Sequence, residues 1–201
     1  MRKEKAGFSL IELLVVIAVI AILAALLFPI VSRATVRAKV ARVHCELEQI
    51  GNAIQMYRDD WAGKPPLART YCTGSAMKIA DYNELPPELY KKYLSTGCFY
   101  DPFNPGHSYK YIAPGPGYSN GTKTVLAIWV PEDYPASTKD CVPYYEPAEA
   151  PLKWAIWSVG PSRGVDIFTS EKRMLPVPRK WWYPYSDEGV IVRLSDGRGS
   201  P

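Results

Sequence analysis

Apolar and polar positions alternate in three different ways along the chain. From Leu13 to Val31 the residues are almost continuously apolar. About 20 such residues, rising about 1.5 Å each, cross a hydrocarbon core about 30 Å thick, so this run predicts a membrane-spanning helix. A secretory signal has a shorter apolar core that ends in a small-residue cleavage site. Here Ala24-Ala25 is followed by further hydrophobic residues, which argues against ordinary signal cleavage. Pro29 interrupts the run, and its missing amide and its ring are expected to kink or loosen a helix there. Beyond it Val36, Val40, Val43, Leu47, Ile50, Ile54, Tyr57 and Trp61 recur at spacings of three and four. That period predicts a helix with one apolar stripe, with Arg37, Arg42, Glu46, Glu48 and Arg58 set between the stripe positions. Residues 8 to 60 therefore read as one long helix, and a sheet of the same chain is the expected cover for the stripe.

The third pattern begins at Gly63. Pro65-Pro66, Thr73-Gly74 and Pro86-Pro87 mark a connector up to Gly97, within which Glu88 to Leu94 suits a short helix. After the turn Asp101-Pro-Phe-Asn-Pro-Gly106, strand-like runs appear at Ser108 to Ala113, Thr124 to Val130, Leu152 to Val159 and Val190 to Leu194. Proline and glycine clusters separate them, predicting an antiparallel sheet. Fourteen tyrosines and six tryptophans give this part an aromatic-rich, strand-compatible character.

Charge adds one decisive residue. Glu12 lies at the edge of the lipid-length run, where an ionised carboxylate is costly and is by default a functional group in need of a cation. Otherwise 24 Lys and Arg against 20 Asp and Glu is a mildly basic balance, and no dense cationic block calls for nucleic acid. Arg2, Lys3 and Lys5 precede the span while Arg33, Arg37, Lys39 and Arg42 follow it, so basic residues alone do not orient it.

The basic leader, then Gly7-Phe8-Ser9-Leu10-Ile11-Glu12 and the apolar run, resembles the leader of type IV pilins and type II secretion pseudopilins. The resemblance covers Lys5 to Pro29 and implies that a membrane prepilin peptidase cuts between Gly7 and Phe8 on the cytoplasmic side and methylates the new amino terminus. It also implies a partner for Glu12: the amino group of Phe8, on the same or a neighbouring subunit. Paired charges removed from water are good devices for fixing register, which makes Glu12 an assembly residue. In that family the segment Ala24 to Pro29 is one that can unwind in the filament.

The head carries a second resemblance. Asp101-Pro-Phe-Asn-Pro-Gly-His-Ser-Tyr-Lys-Tyr with Pro114-Gly115, and Trp154-Ala-Ile-Trp-Ser-Val-Gly-Pro161, are similar to the aspartate-proline turn and late strand of major pseudopilins. In those proteins the following loop often holds calcium. This chain has Pro161-Ser162-Arg163-Gly164 where an Ala-Asp-Gly pattern is expected, which removes one acidic ligand and leaves Asp166, Asp187 and Asp196 as calcium candidates. Calcium takes six to eight oxygens, and scattered carboxylates are more often plain surface.

Cysteines at 45, 72, 98 and 141 suit an oxidising, extracytoplasmic space. They allow three pairings. Cys72 with Cys98 would staple the connector, and Cys45 would join Cys141 if the head folds over the polar side of the helix. No zinc spacing, nucleophile motif or phosphate-cradling loop is present, so neither enzymatic activity nor a firm cofactor is expected. His44 reads as a solvated helix residue and His107 as a turn residue.

Together these features predict an α+β, pilin-like chain: a long N-terminal helix, membrane-spanning and then amphipathic, packed on a small antiparallel β-sheet head. The expected divisions are a cleaved leader (1–7), a membrane or filament-core helix (8–31), an amphipathic half (32–61) and an extracytoplasmic head (62–201). Within that head a connector (62–106) precedes the sheet and loops (107–201). The resemblance implies a single-pass protein of a bacterial inner membrane, with its head in the periplasm or cell exterior, polymerising into a type II secretion pseudopilus. Expected partners are other copies, minor pilins or pseudopilins, the peptidase, the inner-membrane assembly platform and, before assembly, the bilayer, with no nucleic acid. The alternative is a type IV pilus pilin or adhesin with a surface-binding aromatic head.

Overall fold

The computed structural model describes residues 9–70, 83–94, 100–162, 175, 178–184, 186 and 188–201. Helix α1 (Leu10–Asp60) is followed by β1 (Ala68–Thr70), α2 (Pro87–Lys92), β2 (Lys110–Ile112), β3 (Gly115–Ser119), β4 (Thr122–Leu126), β5 (Ile128–Pro131), β6 (Cys141–Tyr144), β7 (Ala155–Ser158) and β8 (Ile191–Leu194). A 3-10 turn, Pro178–Lys180, lies between the last two strands. Two compact units divide the chain, Met1–Ala38 and Lys39–Pro201.

The described part of the first unit is helical from Leu10 onward, and Pro29 lies inside α1 without ending it. The helix stops where the sequence supplies a left-handed turn. Ala62 and Gly63 have positive φ, and the Gly63 amide donates back to the Arg58 carbonyl at 2.7 Å. Pro65-Pro66 then bar any continuation.

In the second unit the stripe is covered as its period predicts. Val43, Leu47, Ile50 and Ile54 are each no more than 1% exposed. Val36, at one end of the predicted stripe, falls in the first unit and is only half-buried. Trp61, at the other, lies past the helix and is exposed, with its ring stacked on Tyr57 at 5.5 Å. The antiparallel sheet β2-β7-β8 supplies one part of the cover, and Tyr93, just past α2, another, its ring edge-on to Tyr57 at 5.4 Å. The sheet's cross-strand row Tyr111, Ile156 and Arg193 shares one face, on which Arg193 lies against Gly51 of α1. The other face contributes Ile112, Ala155, Trp157, Val192 and Leu194 to a second apolar cluster with Ile128, Val130 and Leu152. Burial on both faces explains why β7 reads as apolar from Ala155 to Trp157, with the buried Ser158 at its end.

The head differs from the expected single antiparallel sheet. It holds three small sheets, β1-β3-β4, β2-β7-β8 and β5-β6, and β1 runs parallel to β3. The predicted strand Thr124 to Val130 is two strands in different sheets, changing partner at Ala127. Gly160 and Gly189 both have positive φ and meet so closely that a Cβ on Gly160 would collide with the Gly189 carbonyl, which seats the end of β7 against the approach to β8.

Candidate functional site

The first part of α1 is bare. Its large apolar side chains from Leu10 to Val31 are 47–81% exposed. Among the described residues it is the one helix long and apolar enough to cross a membrane. Glu12 sits in its first turn, where its carboxylate accepts a hydrogen bond from the Ser9 amide at 2.8 Å. This is one arm of a capping box: an acid at the third helical position satisfies an amide left without a partner, at the positive end of the helix dipole. The Ser9-x-x-Glu12 spacing is itself the sequence signal for this bond, so the role of Ser9 was legible and was missed. Gly7 and Phe8, the expected processing residues, lie outside the described residues.

Polar contacts in the second unit fasten the head. Glu46 accepts from Arg42 at 2.7 Å and from the buried Tyr109 hydroxyl at 2.6 Å, and burial with this bond pushes the tyrosine well above its ordinary range. Asp60 accepts from Lys92 at 2.6 Å and Tyr93 at 2.9 Å, and Glu88 holds Arg69 bidentately at 2.8 and 3.1 Å. Among the described residues the Asp101 carboxylate is the most buried charge site, at 1% exposure, accepting from the Phe103 amide (2.9 Å), the Ser158 hydroxyl (2.8 Å) and the Val159 amide (2.9 Å). Burial nonetheless raises its pKa. This carboxylate ties the aspartate-proline turn to the end of β7, joining the two motifs of the head resemblance.

His44, expected to be solvated, is half-buried, and that burial lowers its pKa. His107 is in the turn as expected, its Nδ1 3.0 Å from Glu84. No disulfide joins Cys45 to Cys141. Cys45 is an exposed free thiol, because the head covers the apolar stripe and leaves the polar side of α1, which carries Cys45, uncovered. Cys72 and Cys98 lie outside the described residues, as do the calcium candidates Asp166 and Asp187. Asp196 uses both oxygens within the chain, one for the Arg198 amide at 3.0 Å and the other for the Tyr134 hydroxyl at 2.8 Å. Among the described residues no three His, Cys, Asp or Glu side chains gather as a metal would require.

A bare apolar helix opening on a carboxylate, continued by an amphipathic half that is clothed by small sheets, defines the pilin-like class. Comparison with known proteins agrees. The family model for the prokaryotic N-terminal methylation motif matches residues 2–28. The type II secretion system core protein G of Pseudomonas aeruginosa is 32% identical over 114 residues, which cover 57% of this chain and 78% of that protein. No solved structure matches the chain. The chain belongs to the family of type II secretion system core protein G, the major pseudopilins.

Proposed function

We propose that this chain is cut between Gly7 and Phe8 by prepilin peptidase, methylated on Phe8, and polymerised through α1 as the structural subunit of a pseudopilus that supports protein export. The observation that carries this reading is the contrast along α1. Leu47 and Ile50 are buried by their own chain, whereas Leu14 and Ile17 are 54% and 57% exposed. Apolar surface of that extent belongs in lipid or against another copy of the same helix. In the bilayer Glu12 is held by the Ser9 amide. On assembly the amino group of a neighbouring Phe8 neutralises it, and the stretch from Ala24 to Pro29 loosens as helices bundle. The head then faces outward in the periplasm, meeting minor pseudopilins and the inner-membrane assembly platform. No catalytic step is assigned to any residue.

Replacing Glu12 with alanine tests the assembly step. The variant is expected to be cut and membrane-bound but to give few filaments in shearing and electron-microscopy assays. Filament yield equal to wild type overturns the role of Glu12. A bulky residue at Gly7 is expected to leave the leader attached, read as the intact mass of the amino terminus.

A further inference from the structure

Just past the bare apolar run, α1 carries Arg33 and Arg37, both exposed. They are four residues apart, hence on one face and about 6 Å apart along the axis. Among the described residues neither has a hydrogen bond or ion pair, whereas the next two cations are engaged: Lys39 lies over the Phe103 ring at 5.8 Å, and Arg42 is paired with Glu46. Between Glu12 and Glu46 the sequence contains no acid at all.

We propose that Arg33 and Arg37 form a binding site for anionic phospholipid headgroups in the leaflet on the head's side of the membrane. The inference rests on the reading of residues 10–31 as a membrane span. Arg33 is two residues beyond Val31, about 3 Å along the axis, and Arg37 about 9 Å. A headgroup layer is roughly 5–8 Å deep on each side, so the first arginine lies within it and the second at its outer edge. Helical side chains tilt toward the helix N-terminus, which here is back toward the lipid, so both guanidinium groups reach phosphate oxygens while their stems lie along the apolar run. Guanidinium also suits this ligand, because its planar fork meets two phosphate oxygens at once.

The charge census on α1 favours lipid over a second copy as the occupant. A neighbouring helix would have to offer carboxylates, but most are already engaged within their own chain. Glu46 is taken by Arg42 and Tyr109, Asp60 by Lys92 and Tyr93, and Asp59 accepts from Gln55 at 2.9 Å. Glu48 alone remains exposed without a partner among the described acids of the helix beyond Glu12. The site would hold the subunit at a fixed depth before it is extracted into the filament.

The test is lipid retention by the full-length chain, measured by native mass spectrometry after equilibration with equimolar phosphatidylglycerol and phosphatidylcholine, with inorganic phosphate added in a parallel sample. Wild type is expected to retain phosphatidylglycerol preferentially, with free phosphate unable to displace it. At roughly one kcal/mol for each basic residue near an anionic surface, Arg33→Gln with Arg37→Gln is expected to reduce that preference about thirtyfold, and either change alone about fivefold. Lys123→Gln, at an exposed head position in β4, is expected to change nothing. Equal retention by the double variant and wild type overturns the proposal. So does loss of filament yield in that variant with lipid retention intact, which would assign the pair to a second copy. Extraction of wild type by alkaline carbonate separates the two levels. A chain released from the membrane fails the span reading itself, whereas an integrated chain without phosphatidylglycerol preference fails this inference alone.

Discussion

Single side chains in this protein fall into those that close the head and those that face outward to partners, and Asp101 is the clearest of the first kind. Removing its carboxylate leaves the Phe103 amide, the Val159 amide and the Ser158 hydroxyl without acceptors in a site that water does not reach. At about 1–3 kcal/mol for each orphaned buried group, Asp101→Ala is expected to cost about 3 kcal/mol or more in urea unfolding. His44 contributes one part of the pH dependence. Burial lowers its folded pKa, so the native state binds a proton less readily than the unfolded chain. Its contribution to stability is therefore full above the unfolded value near 6.5 and is lost as pH falls through that value toward the folded one. Titrating stability from pH 7 to 5 should show wild type losing ground to His44→Gln over that interval. Glu12 and the stripe residues were legible in the sequence because a charge in an apolar run and a 3.6-residue period are local signals. The burial of Asp101 and His44 was not, since it depends on which strands return to cover them.

At the level of elements, α1 is two helices in one. Leu47→Ala is expected to cost about 2–5 kcal/mol of head stability, the usual range for a buried leucine, whereas Leu14→Ala should leave head unfolding unchanged. Denaturant titrations in detergent, followed by tryptophan fluorescence from the head, distinguish them. The same element shows what periodicity reads well: the middle of its stripe, Val40 to Tyr57, and its end before Gly63 follow from the sequence, whereas at the ends of the expected stripe Val36 is only half-buried and Trp61 exposed. Strands β3 and β6 were missed because they contain Gly115-Pro116-Gly117 and Pro143, residues that ordinarily mark turns. Gly117 is in a strand because a Cβ there would come within 2.6 Å of the Ala68 carbonyl and the Leu126 side chain, so only glycine lets β1 and β4 close around it. The parallel pairing of β1 with β3 was equally hidden, since three residues carry too little pattern to reveal a partner.

For the whole molecule, the compact unit Lys39–Pro201 has an apolar interior of its own, whereas the described apolar side chains before Val31 rely on surroundings the chain does not supply. A shortened protein beginning at Ser32 is expected to stay monomeric without detergent and to melt in one cooperative step, while the full chain should require detergent. Sedimentation velocity and circular dichroism decide this. The fold class and family were readable from the first thirty residues and the aspartate-proline turn, because both are contiguous motifs. Division of the head into three sheets was not, because the switch at Ala127 leaves no mark in hydrophobic alternation.

Strand β8 follows every other strand in chain order, yet Val192 and Leu194 complete the apolar cluster and β7 has β8 as one of its two neighbours. During synthesis, the open side of Ala155–Ser158 must wait for Ile191–Leu194 to leave the ribosome. Closure of the head's apolar cluster is therefore a late event, completed only once Ile191–Leu194 is free to pair with β7.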